Sequence, residues 1–157
     1  MEFSGDELAG VVDLFGALTR AELGGALAEL AYKQGEPYDS EGFTTEIRTA
    51  VERYHLVRLD ATTAGTDDPV LVPGPGAFPA LPANAGDLEH ILDIDHRVVD
   101  RATAGEAVLD RFRRDAAIAV QSDDPTRIEQ LLDVSYELEV WADVDLSAER
   151  AHLDDLL

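Results

Sequence analysis

His90, Asp93, Asp95 and His96 are the one cluster in this sequence made of metal-ligand residue types. Imidazoles and carboxylates hold a divalent cation when the chain brings three or four of them to one point. The spacing works against that here. On one continuous helix His90 and Asp93 share a face, while His96 lies further along. A carboxylate-rich chain produces such runs by chance, so no metal ligand is assigned. His55 and His152 stand alone, and Tyr54-His55 at a helix-to-strand junction reads as structural. The chain has no G-x-S-x-G, phosphate loop, dinucleotide fingerprint or H-E-x-x-H. Carboxylates are so evenly spread that no pair stands out as acid and base. The residues therefore predict neither an enzyme nor a cofactor.

The charge balance carries more information. The 157 residues hold 33 acids against 12 basic residues, a net charge of -21. Lys33 is the single lysine. The Debye length is about 30 Å in 0.01 M salt and about 3 Å at 1 M. Repulsion across such a surface is long-ranged in dilute buffer and nearly abolished in brine, where hydrated carboxylates keep the chain in solution. An acidic interaction tail or a nucleic-acid mimic is the competing explanation. Tails carry blocks of like charge without apolar residues, whereas these acids alternate with apolar residues along the whole chain. The expectation is a salt-adapted surface that holds cations non-specifically. With 45% hydrophobic residues the chain can bury a core. It has no cysteine, hence neither disulfides nor thiolate metal sites. The stretch from Met1 to Glu7 lacks the pattern of a signal peptide. No apolar run reaches the roughly 18–20 residues of a membrane helix. These features predict a soluble, cytoplasmic protein without a membrane partner.

The elements follow from caps and periodicity. Ser4 with Glu7 and Thr19 with Glu22 are capping-box pairs, each opening a helix. Leu8, Val11, Val12, Phe15 and Leu18 form the first apolar stripe; Leu23, Ala26, Leu27, Leu30 and Ala31 form the second, up to Gly35. After Pro37 a third helix is predicted over 40–54, with Phe43, Ile47, Ala50, Val51 and Tyr54 on one face. Residues 55–59 and 70–72 read as paired strands around a Thr/Gly/Asp loop. Pro73-Gly74-Pro75-Gly76 and Pro79-Ala80-Leu81-Pro82 suggest a rigid linker. Beyond it come a short helix over 86–92 and one opened by Thr103 and Glu106. Asp124-Pro125 opens another, and Ser147 a last short one. The expected fold class is mainly α. Residues 1–72 form a winged-helix-like half of three helices plus a β-hairpin. A linker over 73–82 leads to a helical region over 83–157 packed on the first.

Two binding roles compete. If residues 1–72 are a winged helix, the third helix is its recognition element, and Thr44, Thr45, Arg48, Thr49 and Arg53 are the candidate DNA contacts. Yet residues 36–82 hold three arginines against eight acids, not the basic patch of a nucleic-acid binder. In molar salt counterion release contributes little, so an acidic DNA binder is physically allowed. It should nevertheless keep acids off its DNA face. Trp141 reads first as an inter-helix anchor and second, if partly exposed, as a partner surface. The favoured role is non-enzymatic: a protein partner or homo-oligomerisation, with DNA as the alternative.

The run from Gly5 to Leu23, Val72-Pro73-Gly74-Pro75, Phe78-Pro79 and Leu138-Glu139-Val140-Trp141-Ala142 resemble a family of uncharacterised haloarchaeal proteins over most of the chain. That resemblance implies a high-salt habitat and assigns no catalytic residue. The first half also resembles, in pattern, the winged-helix part of archaeal regulators.

Overall fold

The computed structural model describes residues 2–157, and the chain divides into two compact units, Met1–Val99 and Asp100–Leu157. In the first unit both capping boxes form. Ser4 and Glu7 cap α1 (Gly5–Phe15), and Thr19 and Glu22 cap α2 (Arg20–Lys33), each pair bonding reciprocally through side chain and backbone. The two predicted stripes are buried. Helix α2 stops where expected: Gly35 takes the left-handed conformation at φ 70° and Glu36 N–H closes back on the Ala31 carbonyl.

Helix α3 (Ser40–Glu52) is capped by Asp39, whose carboxylate accepts from Gly42 N–H. It ends two residues earlier than predicted, because Tyr54 turns left-handed at φ 63° and leads into β1 (Leu56–Leu59). The strand pairs antiparallel with β2 (Val70–Pro73), Leu56 opposite Pro73 and Leu59 opposite Val70. Between them the expected open loop contains one helical turn, α4 (Ala61–Ala64). Leu18, between α1 and α2, pairs through both backbone groups with Leu71 and adds a single-residue third edge to the hairpin. Leu18, Leu56 and Leu71 are buried with Phe15, Leu27 and Phe43 in one core.

The 73–82 segment lies inside this unit rather than between two halves. Gly74 and Gly76 N–H donate to the His55 and Tyr54 carbonyls. Further on, Ala80 N–H bonds the Asp6 carbonyl and Phe78 N–H bonds the Asp6 carboxylate. A Cβ at Gly10 would overlap the Ala80 carbonyl, so the missing side chain is what lets the segment lie on α1. After one 3-10 turn (Ala85–Asp87) and α5 (Leu88–Ile91), the chain returns to the end of α1, where Arg97 N–H donates to Phe15 O at 2.8 Å. Gly16, at φ 82°, turns the chain beside Arg97 in a space a Cβ would fill.

The second unit is an antiparallel pair, α6 (Arg101–Gln121) and α7 (Pro125–Ala142), with α8 (Ser147–Asp154) packed on α7. Asp100 caps α6 by accepting from Thr103 N–H and Oγ1. The Thr103–Glu106 box expected there does not open the helix, because α6 has already begun at Arg101. Asp124 caps α7 with Pro125 in its first turn, as the sequence predicts. Ala104, Val108 and Phe112 meet Ile128, Leu131, Val134 and Leu138 in the buried seam. Arg150 and Glu139 form an ion pair between α8 and α7, and Glu139 Oε2 also accepts from Leu146 N–H at 2.8 Å. No helix among the described residues is long and apolar enough to cross a membrane.

Candidate functional site

His90, Asp93, Asp95 and His96 are all exposed on α5 and the chain that follows it. Among the described residues no three His, Asp or Glu side chains gather as a metal would require. His55 is half-buried against Gly5 at the start of α1, and burial pushes its pKa below the ordinary 6.5, with nearby Asp6 opposing. Exposed Asp67 and Asp68, with Thr66, rim a polar hollow of about 270 Å³ that Arg97 also lines. The Arg97 guanidinium is already committed. It bonds both Glu22 oxygens and, at 3.1 Å, the Ala17 carbonyl, so it offers no open charge to an anion.

The outer face of α3 carries the residues singled out as DNA contacts. Thr44, Thr45 and Arg48 are exposed and Thr49 is half-buried on adjoining turns of α3, while Arg53, also exposed, stands just past the helix as its C-cap. Two features shape its chemistry. Thr44 and Thr45 donate their hydroxyl hydrogens to the Ser40 and Glu41 carbonyls one turn back, which leaves their oxygens as acceptors toward solvent. Exposed Glu41 and Glu52 stand at the two ends of the same face. On the hairpin, Arg58 is paired to Asp60 at 2.8 Å. Arg48 and Arg53 are what is left to meet a phosphate, against at least as many acids. Behind this face, Glu46 Oε1 accepts from Phe3 N–H while Oε2 is buried without a partner. Burial raises its pKa above the ordinary carboxylate value.

The second unit presents a surface of a different kind. Ala116, Ala117 and Val120 of α6 and Ala148 and Leu153 of α8 line an open, mainly apolar groove of about 540 Å³. Arg113 and Glu149 also line it, and the Glu149 Oε2 atom is buried without a hydrogen-bond partner. Ile118 on the same helix is 60% exposed, and Val140 on α7 is 86% exposed. Trp141 sits in the last turn of α7, half-buried, with the Arg101 guanidinium 4.5 Å above its ring. It is thus anchored inside the unit and leaves only part of its ring to solvent. Sequence reasoning missed the groove. Its floor joins two helices about thirty residues apart, and α8 is held in that position by buried Leu146 and Leu153 and by the Arg150–Glu139 pair.

Residues 6–157 match the model of a family described as Family of unknown function (DUF7109). The chain belongs to that family. Neither a curated protein nor a solved structure matches it. The matched residues include all of the second unit and all but the first few residues of the first.

Proposed function

We propose that this protein is a cytoplasmic, salt-adapted, non-enzymatic interaction module whose contact surface is the apolar groove of the second unit. The groove between α6 and α8 carries this reading: small apolar side chains stay open to solvent on a unit with 15 acids and six arginines. Elsewhere on such a chain acids keep the surface wetted, and an open apolar strip rimmed by charge is the usual mark of a contact. The α3 face supports the same reading by its acids, since Glu41 and Glu52 would repel a phosphate backbone approaching Arg48.

One observation favours a second reading, a winged-helix DNA binder. The Leu18–Leu71 pairing puts a one-residue strand between α1 and α2 and beside β2. Helix, strand, helix, helix and hairpin is the order of a winged-helix domain, with α3 as its recognition helix.

Affinity capture in about 2 M KCl, which holds the Debye length near 2–3 Å, separates the two. Retention of a defined protein partner, or of a second copy of the chain, after nuclease treatment supports the interaction reading. Enrichment of one DNA sequence, lost on Arg48→Glu, would overturn it in favour of the winged-helix binder.

A further inference from the structure

We propose that the occupant of the α6–α8 groove is a second copy of this chain, docked about a two-fold axis so that Arg113 of each copy meets Glu149 of the other. The inference rests on the interaction reading above and names its partner. Charge on the groove rim selects the occupant. Of the second unit's arginines, Arg111 and Arg127 share Asp115, Arg150 holds Glu139, and Arg101 covers Trp141. Arg113 and Arg114 alone have no ion pair or ring contact among the described residues. An arginine without a carboxylate, on a chain of net charge -21, is conspicuous where it lines an apolar groove. Glu149 lines that groove too; its Oε2 is buried without a partner, so a docking cation must reach the carboxylate through Oε1.

A basic partner would be repelled by Arg113, and an acidic one by Glu149. A partner that offers an acid to Arg113 and a cation to Glu149, around an apolar centre, has the charge pattern of the groove itself. An isologous contact supplies that arrangement, because each residue i that meets j is matched by j meeting i. Ala116, Ala117 and Ala148 have no bulk beyond Cβ and let two helices approach closely. Net repulsion between two acidic copies is the opposing effect, and it is screened within a few ångströms in molar salt. The dimer should therefore form in brine and dissociate as salt is lowered.

Sedimentation of the purified full chain in about 2 M KCl, from micromolar to millimolar concentration, tests this. A dimer is expected. Ala117→Glu, at an exposed position of α6, buries a carboxylate at the centre and should weaken the dimer by at least about 100-fold with the helical circular dichroism unchanged. Arg113→Glu and Glu149→Arg should each weaken it by about tenfold, since the symmetry counts every pair twice, and the double exchange should restore it. A monomer at every concentration, or a dimer indifferent to Ala117→Glu, would overturn the proposal. So would a double exchange no tighter than either single one. A monomer that still captures a different, defined protein would leave the interaction reading standing; a monomer that captures none would end both.

Discussion

Arg97 and Glu22 form a two-pronged ion pair, Nη1 on Oε1 and Nη2 on Oε2, between residues 75 positions apart in the chain. Glu22 is the same carboxylate that completes the capping box of α2 through Thr19 N–H at 2.8 Å. One side chain thus starts a helix and fastens the returning segment to it. Both partners are about three-quarters covered. Arg97→Ala should therefore cost about 2 kcal/mol, the usual loss for hydrogen bonds to a charged group. Arg97→Lys should recover only part of it, because an ammonium cannot reproduce the planar fork. Thermal unfolding at constant salt measures both.

The same pair gives a pH dependence. Burial pushes the Glu22 carboxyl up, but the Arg97 guanidinium and the Thr19 N–H together outweigh it and leave the pKa below the ordinary 4.5. A depressed folded-state pKa contributes stability above the unfolded value, and loses it as pH falls through the folded one. In Arg97→Ala this acid-side loss should shrink. The difference in melting temperature between parent and variant should narrow below pH 4.5. A constant difference down to the acid transition would contradict the assignment.

Glu46 behaves in the opposite sense. Burial raises its pKa, and the Phe3 N–H on Oε1 only partly offsets this. A raised carboxyl pKa means that the folded state binds the proton more tightly, so its contribution falls as pH rises from 4.5 through the folded value. Glu46→Gln keeps an acceptor for Phe3 N–H and removes a charge whose second oxygen has no partner. The variant should melt higher than the parent near neutral pH, with the gain disappearing on acidification. A lower melting temperature at neutral pH would mean that Glu46 is stabilising as a carboxylate.

Gly10 tests how the 73–82 segment is held. Inside a helix, Gly→Ala ordinarily gains about 1 kcal/mol of propensity. Here the added Cβ would overlap the Ala80 carbonyl, which is backbone and itself bonded through Ala80 N–H to Asp6. Forced repacking of this kind costs about 1–3 kcal/mol. The expected outcome of Gly10→Ala is thus a net loss of about 1 kcal/mol rather than a gain. Hydrogen exchange should quicken at Phe78 and Ala80, whose amides bond to Asp6.

What the sequence made legible was local. Ser4–Glu7, Thr19–Glu22 and Asp124–Pro125 act over three or four residues, and the helices they open lie where spacing predicts. The hairpin followed from alternation alone. Features that depend on distant partners were not readable. Proline and glycine at 73–76 look the same whether they link two domains or bind the backbone at Tyr54 and His55. A strand one residue long, at Leu18, leaves no periodic trace. The groove was hidden for a related reason: Ala116, Ala117 and Val120 line it only because α8 lies beside them, which nothing in their own spacing announces. Four of the five proposed contacts lie on adjoining turns of α3 and Arg53 just past its end, yet periodicity could not tell whether DNA or protein meets them.

The acidic surface itself makes the last prediction. Residues 1–99 carry six basic residues against 18 acids, and residues 100–157 carry six against 15. Neither unit can neutralise itself. The ion pairs found within each, such as Arg97–Glu22 and Arg150–Glu139, engage only a minority of the carboxylates. The remaining repulsion acts over about 30 Å in 0.01 M salt, further than the roughly 20 Å across two packed helices, and over about 3 Å at 1 M. Stability should therefore rise steeply with KCl up to roughly molar concentration and flatten beyond it. Dialysis into millimolar salt should reduce helical circular dichroism, and added KCl should restore it. Sucrose at matched viscosity should restore less, because it strengthens burial without screening charge. A melting temperature unchanged between about 0.05 and about 2 M KCl would show that these carboxylates are not what sets the stability of the chain.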